Sequence, residues 1–544
     1  MVAQEQPGQR FAVGEVSHAG SAGAYAMLAA LCALALALGA FGLGYGLPFF
    51  SHIDEPHVVE RASRVAHGHT LNPGWFGHPG STVIYPLAGI YKVHSAIAHG
   101  VPPWRPDPVA YATLHRESLR FATPDAAPYY LLARTLSLTY FVGAVALTFV
   151  LGAQAFNRRT GLLAAAMVAS SAVFLEYARI ARTDTAGAFY TLLALIACLR
   201  LLRAPGWQHY ILAGLAIGLA GATRYLCLSL GVALLAAHGF SGAWRNQRGW
   251  YLLLVGLAAI PVGFLAVTPA LPFALGTVYR NLMTEARDSW LPLSYPAKVW
   301  WYVANGVPLV LSWPLWLAAL GGAALTVRRG SQSARLLVLV AAIFLLVIAL
   351  PALYHRRWVL SIAPVLYVLA AALLWAAVET LRKTLGWRRH VALTSAVLLA
   401  LSMAGPLAAT VQQSYLVARP DTREQALRWI SAHVPPGARI ATESYAGLIV
   451  GDYQVTTPFH LFRLGPFDQA LTTQYDYFVT TELNYGRYYE AAARHPEDVA
   501  FYEEAIAFYS RLFRSELLAE FRPGPWTAQG PVVRIYRSPG SSLP

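Results

Sequence analysis

Two adjacent carboxylates, Asp54 and Glu55, directly follow the first long apolar stretch of this chain, in the run Ser51-His52-Ile53-Asp54-Glu55-Pro56. Charge at a membrane surface is costly, and ionisable groups held there tend to be functional. The plainer alternative is a helix N-terminus, where negative charge before a proline is favoured; the residue types leave both readings open. A third carboxylate, Asp184, opens a later apolar segment in Ala181-Arg182-Thr183-Asp184. It would serve equally as a helix cap with Arg182 beside it, and the two roles can coexist.

Arginines accompany these acids. Arg134, Arg182, Arg224, Arg356 and Arg357 each sit at the end of an apolar segment or in the short turn after it. A guanidinium matches phosphate oxygens with paired donors, so five of them at one depth suit an anionic headgroup. Singly, each could snorkel or pair with a carboxylate. Histidines are dense in the same region: His52, His57, His67, His69, His78, His94, His99 and His115 lie between the first two apolar segments. None forms a zincin pair with an intervening Glu, so solvated loop histidines are the expectation. A divalent metal is the alternative they leave open, and no other cofactor is called for.

The elements that must position these groups are membrane spans. Hydrophobic residues make up 56% of the chain and charged residues 12%, about half the charged share of a soluble domain. Eleven apolar stretches are each near the ~20 residues a bilayer requires: 22–48, 131–155, 161–178, 185–203, 209–222, 226–241, 251–268, 303–327, 335–352, 358–381 and 391–411. Basic clusters follow spans two, four, six, eight and ten: Arg158/Arg159, Arg200/Arg203, Arg245/Arg248, Arg328/Arg329/Arg335 and Arg382/Lys383/Arg388/Arg389. All five fall on one side, which the positive-inside bias makes the cytoplasm. The expected topology is a cytoplasmic segment 1–21, a membrane domain 22–411 with a first outer loop 49–130, and an extracytoplasmic tail 412–544, all in the cell's inner membrane. The first stretch lacks a small-residue cleavage site and reads as a retained helix.

Residues 420–544 carry net charge −3, whereas the whole chain carries +14, so the positive charge belongs to the membrane part. No basic helix or aromatic-basic platform suggests a nucleic-acid partner. Cys32, Cys198 and Cys227 lie in apolar segments and make neither a disulfide framework nor a zinc spacing. In the tail, Thr422–His433 reads as an amphipathic helix, Ala438–Thr442, Tyr477–Thr481 and Val532–Tyr536 as strands, and Val499–Leu518 as a helix. That pattern predicts a small α/β domain. After the first span, Val58, Val59, Ala62, Val65 and Ala66 make an apolar helical face, with Glu60, Arg61 and Arg64 opposite; a helix lying flat in the interface is expected.

In order along the chain, Ile53-Asp54-Glu55-Pro56, Gly77-His78-Pro79, Ala133-Arg134-Thr135-Leu136-Ser137 and Ala181-Arg182-Thr183-Asp184-Thr185-Ala186 resemble the protein O-mannosyltransferase pattern. Gly214–Tyr225 and Arg356–Ala372 are similar to the wider glycosyltransferase family 39 pattern, whose architecture the lipid A aminoarabinose transferase shares. The chain departs from it at Gly80-Ser81, where Pro-Leu would follow His78-Pro79. The resemblance implies a GT-C fold, a polyprenyl-phosphate sugar donor, and transfer with inversion to a hydroxyl outside the cytoplasm. It makes Asp54 the base, with Glu55 and Asp184 positioning sugar or acceptor. Arg134, Arg356, Arg357 and Arg224 would hold the donor phosphate. Arg182, His78 and Tyr225 would support the site. The rival class is a multispan transporter or flippase of lipid-linked sugars, but a transporter places its charge near the midplane rather than at one face.

Overall fold

The computed structural model describes residues 18–50, 52, 54–68, 70–77, 80–98, 126–287, 293–351, 353–385, 388–490 and 499–541. Each of the eleven expected segments contains a helix, although the first, 22–48, is helical only as far as Ala40. Among the described residues, five helices are long and apolar enough to cross a membrane: Ala22–Ala40, Ala127–Ala155, Asp184–Arg203, Gln247–Ala266 and Ala363–Thr384. Two bent pairs, counted as one span each, raise this to seven. Arg158–Ala169 and Ala172–Ala178 meet at 61°, and Tyr295–Leu311 meets Trp313–Arg329 at 113°. Among the described residues, length and composition alone thus mark five to seven crossings, and the expected count of eleven includes shorter helices. The shorter apolar helices, Tyr225–Ser241 and Gln332–Val347, account for part of the difference.

The 113° bend interrupts the span read over 303–327. Ser312 sits at φ 75°, a left-handed conformation that a continuous helix does not contain, so the chain turns there and starts again at Trp313. Hydropathy averages over the turn because both arms are apolar. Close helix packing elsewhere relies on small residues. A Cβ on Gly214 would come within 2.2 Å of the Gly256 carbonyl, and one on Gly218 within 2.2 Å of the Ile260 carbonyl. Helices Trp207–Thr223 and Gln247–Ala266 thus touch backbone to backbone, as small-x-x-x-small helices do in lipid.

Above the spans, helices Pro56–His67 and Ser81–Ile97 pack on the start of Ala127–Ala155, around Tyr91, Tyr129 and Tyr130. The polar face expected to be solvated is covered instead. Glu60 and Arg61 are as buried as Val58 and Val65, because Arg61 is covered by Trp75 and bonded to His57. Burial pushes the Glu60 carboxyl up to about 8.

The tail forms a five-stranded sheet in the order β2-β1-β3-β5-β4, with β1 Arg439–Thr442, β2 Gln454–Thr456, β3 Tyr477–Thr481, β4 Leu517–Phe521 and β5 Val533–Arg537. β1 runs parallel to β2 and β3, and β5 runs antiparallel to β3 and β4. Successive residues of β3 face opposite sides. Phe478 joins an aromatic core with Phe462, Tyr488 and Tyr509, while Tyr477 and Val479 join Ile430, Ile440 and Ile535. The helix expected over Val499–Leu518 ends at Leu512, and its last residues enter β4. β2, three exposed residues, carries no apolar alternation to read. The tail docks where the first span ends: Leu448 N–H bonds the Phe49 carbonyl at 2.7 Å, Tyr45 bonds Asp421, and the Arg423 guanidinium lies 3.7 Å over the Phe50 ring.

Candidate active site

Glu55 occupies the N-cap position of helix Pro56–His67, but its side chain turns inward and is fully buried. It accepts from Arg134 Nε at 2.7 Å, Arg134 Nη2 at 2.8 Å, and the Ala181 and His52 amides at 2.8 Å. Arg134 Nη1 donates to the Leu43 and Tyr45 carbonyls at 2.8 Å. One bidentate pair therefore ties the end of the first span, the start of the second and the junction before Asp184. A buried charge needs such complete pairing. This geometry differs from the phosphate role expected of Arg134: its guanidinium is spent inside the fold.

With Glu55 turned in, its neighbour Asp54 points the other way and stays open. Its side chain is 27% exposed. Oδ2 makes ion pairs with Arg182 Nη1 and with Arg357 Nη1, the latter at 3.0 Å. Arg182 continues through Nε to Asp184 Oδ2 at 3.0 Å, and Asp184 Oδ1 takes Arg224 Nη1 at 2.5 Å. Asp184 is itself buried. The chain Arg357–Asp54–Arg182–Asp184–Arg224 is continuous, and draws on four separate stretches of sequence.

Local backbone explains how arginines reach it. Arg224 is extended between helix Trp207–Thr223 and the 3-10 turn Tyr225–Leu230. Arg356 and Arg357 open a second 3-10 turn, Arg356–Ser361, after an extended His355. Each break directs a side chain sideways rather than along a helix axis. Gly187 leaves the passage for Arg224: a Cβ there would lie 3.0 Å from Arg224 Cδ and 2.9 Å from Ser361 Oγ. Burial and then the Arg357 charge lower the His355 imidazole to about 4. Burial, with Arg182 and Arg357, likewise holds His52 well below its ordinary value. Both rings are neutral at pH 7 and add no charge.

Arg356 pairs away from the chain of five, with Glu176 Oε1 at 2.9 Å and Oε2 at 2.8 Å. Glu176 and its neighbour Arg179 are absent from the expected set. Both lie at the end of the bent third span, where an ionisable residue inside apolar sequence is itself the signal that could have found them. Arg179 is buried, donates to the Leu38 carbonyl at 2.7 Å, and has no partner for Nε or Nη1 among the described residues. Arg357 Nε is also unpartnered among them. Six arginines thus meet four carboxylates, Asp54, Glu55, Glu176 and Asp184, and the surplus is positive.

Tyr225 acts on the loop. Its hydroxyl donates to the Phe76 carbonyl at 2.7 Å, and Phe76 N–H bonds Asn281 Oδ1 at 3.0 Å. His78 lies outside the described residues, as do His69, His99 and His115. Among the described residues no three His, Cys, Asp or Glu side chains gather as metal ligands.

The fold is shared with solved membrane transferase structures. The crystal structure of ArnT from Cupriavidus metallidurans bound to undecaprenyl phosphate superposes at TM-score 0.53, with 11% identity over 97% of this chain and 100% of that one. Its apo state gives 0.52 and 13%, over 96% and 100%. The oligosaccharyltransferase AglB from Archaeoglobus fulgidus, in complex with an inhibitory peptide and a dolichol-phosphate, gives 0.52 and 13%, over 90% of this chain and 72% of that one. Residues 131–267 match the family described as dolichyl-phosphate-mannose-protein mannosyltransferase, a stretch that holds Arg134, Arg182, Asp184 and Arg224. None of the curated proteins compared is similar in sequence.

Proposed function

We propose that this protein is a membrane glycosyltransferase that moves a sugar from a polyprenyl-phosphate donor to an extracytoplasmic hydroxyl, with inversion. The observation that carries the reading is the open Asp54 carboxylate beside Arg357 in a positively charged cluster at one end of the spans. An inverting transfer needs one base on the acceptor side and positive charge on the leaving-group side. Asp54 takes the proton from the acceptor hydroxyl. Arg357, Arg224 and Arg356 face the donor phosphate as the glycosidic bond breaks. Arg357 links the two roles: a phosphate that draws its guanidinium away leaves Asp54 freer to accept a proton. Arg182 and Asp184 position Asp54, and Glu55 with Arg134 fixes the turn that carries it. The similarity to structures holding undecaprenyl phosphate and dolichol-phosphate supports a lipid-phosphate donor. The acceptor hydroxyl belongs to a lipid, a glycan or a protein.

The test is release of polyprenyl phosphate from a panel of lipid-linked sugars by purified protein in detergent, with Asp54→Asn beside the wild type. Loss of a general base costs about a hundredfold to ten-thousandfold in rate, while donor binding should persist. A transporter or flippase releases nothing from any donor. Full turnover by Asp54→Asn, with Asp184→Asn inactive, would transfer the base to Asp184.

A further inference from the structure

A cavity of about 1000 Å³ opens at the other end of the membrane body. Arg134 and Ala155 share one helix, and the ~1.5 Å rise per residue puts their ends about 30 Å apart, the thickness of a bilayer's apolar core. The cavity is therefore distinct from the Asp54 cluster. Its walls are apolar, formed by Phe156, Leu325, Ala372, Trp375 and Ala376. Its rim is basic: Arg158, Arg159 and Arg329, against the single carboxylate of Glu379.

These arginines are underused by the fold. Arg159 lies over the Trp375 ring at 5.2 Å and reaches Glu379 at 3.5 Å, with 62% of its side chain exposed; such a pair contributes little. The Arg158 guanidinium lies 6.0 Å from the Tyr25 ring centre, and neither it nor Arg329 has a carboxylate or carbonyl partner among the described residues. The N-terminus of helix Arg158–Ala169 opens on the same rim. Asn157 caps it by accepting from Thr160 N–H at 2.9 Å, and the amides of Arg158 and Arg159 come before the first intrahelical bond. Positive charge, helix-end amides and an apolar wall converge at interface depth.

We propose that this cavity binds the phosphate headgroup of an anionic phospholipid. The phosphate sits between Arg158 and Arg329, above the amino end of the helix. Arg159 holds the rim against Trp375, an aromatic of the kind that settles at headgroup level. The glycerol and upper acyl segments cover Leu325, Ala372 and Ala376. Free phosphate would fill the rim and leave the apolar wall bare, so the lipid is the better occupant. Basic pockets between spans at the inner surface recognise lipids in this way.

The experiment is native mass spectrometry of delipidated full-length protein, titrated with phosphatidylglycerol, phosphatidylcholine and inorganic phosphate. Wild-type protein should retain one tight phosphatidylglycerol and hold phosphatidylcholine at least about tenfold more weakly. Arg158→Ala/Arg329→Ala should lose that preference by about tenfold or more, at roughly a tenfold step for each ~1.4 kcal/mol. Ala376→Trp keeps every charge and fills the wall, so it should lose the lipid as well; it decides the matter if the double variant does not fold. Equal retention of both lipids, undiminished phosphatidylglycerol binding in Ala376→Trp, or competition by inorganic phosphate at equal concentration would each overturn the assignment.

Discussion

Replacing Arg134 by alanine strands three partners at once. Glu55 keeps only the Ala181 and His52 amides, and the Leu43 and Tyr45 carbonyls lose their shared donor. Glu55 is wholly buried, so water cannot substitute at its oxygens. Removing one partner of a buried pair costs about 3–5 kcal/mol, against a total stability of about 5–15 kcal/mol for an ordinary domain. Thermal unfolding in detergent, followed by tryptophan fluorescence and size-exclusion recovery, should show a large drop for Arg134→Ala. Arg134→Lys should lie between, because an ammonium cannot hold two carboxylate oxygens and two carbonyls together. Glu55→Gln combined with Arg134→Ala should lose less than the sum of the two single changes, because the stranded charge is gone. A phosphate ligand would behave in the opposite way: Arg134→Ala would keep its unfolding temperature and lose donor affinity alone. That result, or strict additivity in the double variant, would refute the positioning role given to this pair.

The remaining expectations concern the tail and the helix packing. Glu443, buried at the end of β1, accepts from Thr480, Thr481, Leu461 and Tyr509, yet burial pushes it up to about 7. Its folded value lies above its unfolded value, so it stabilises fully below about pH 4.5 and loses that contribution as pH rises through about 7. Glu443→Gln should flatten the fall in stability between pH 5 and 8, by up to about 3 kcal/mol, and an unchanged slope would exclude Glu443 as its source. Gly218→Leu should separate two helices that meet at a backbone carbonyl and reduce folded yield sharply; normal yield in detergent would count against the close approach. Thr527→Cys should react with an impermeant thiol reagent supplied from outside the inner membrane, over a low background, since Cys198 and Cys227 are buried and Cys32 is half-buried. Labelling only after lysis would put the tail in the cytoplasm.

Long apolar runs are legible because they answer a single physical demand, a bilayer's thickness, and every expected run contains a helix. The tail helix Thr422–His433 and strand Tyr477–Thr481 are equally plain, the one from its 3.6 period and the other from a run of aromatic and β-branched residues. The charged residues at the span ends announced themselves because charge beside lipid is expensive. Their pairing was decided only in three dimensions. Asp54 and Glu55 are neighbours with the same chemistry, and one residue of rotation at the helix entry buries Glu55 on Arg134 and leaves Asp54 open to Arg182 and Arg357. Arg357 is 303 residues from Asp54 in sequence, and no local pattern encodes which carboxylate it meets. The same holds for Glu60 and Arg61, polar by type and buried by the packing of Trp75 and the neighbouring helix. Residue type sets what each group can do, whereas partner and exposure come from segments that only the folded chain brings together.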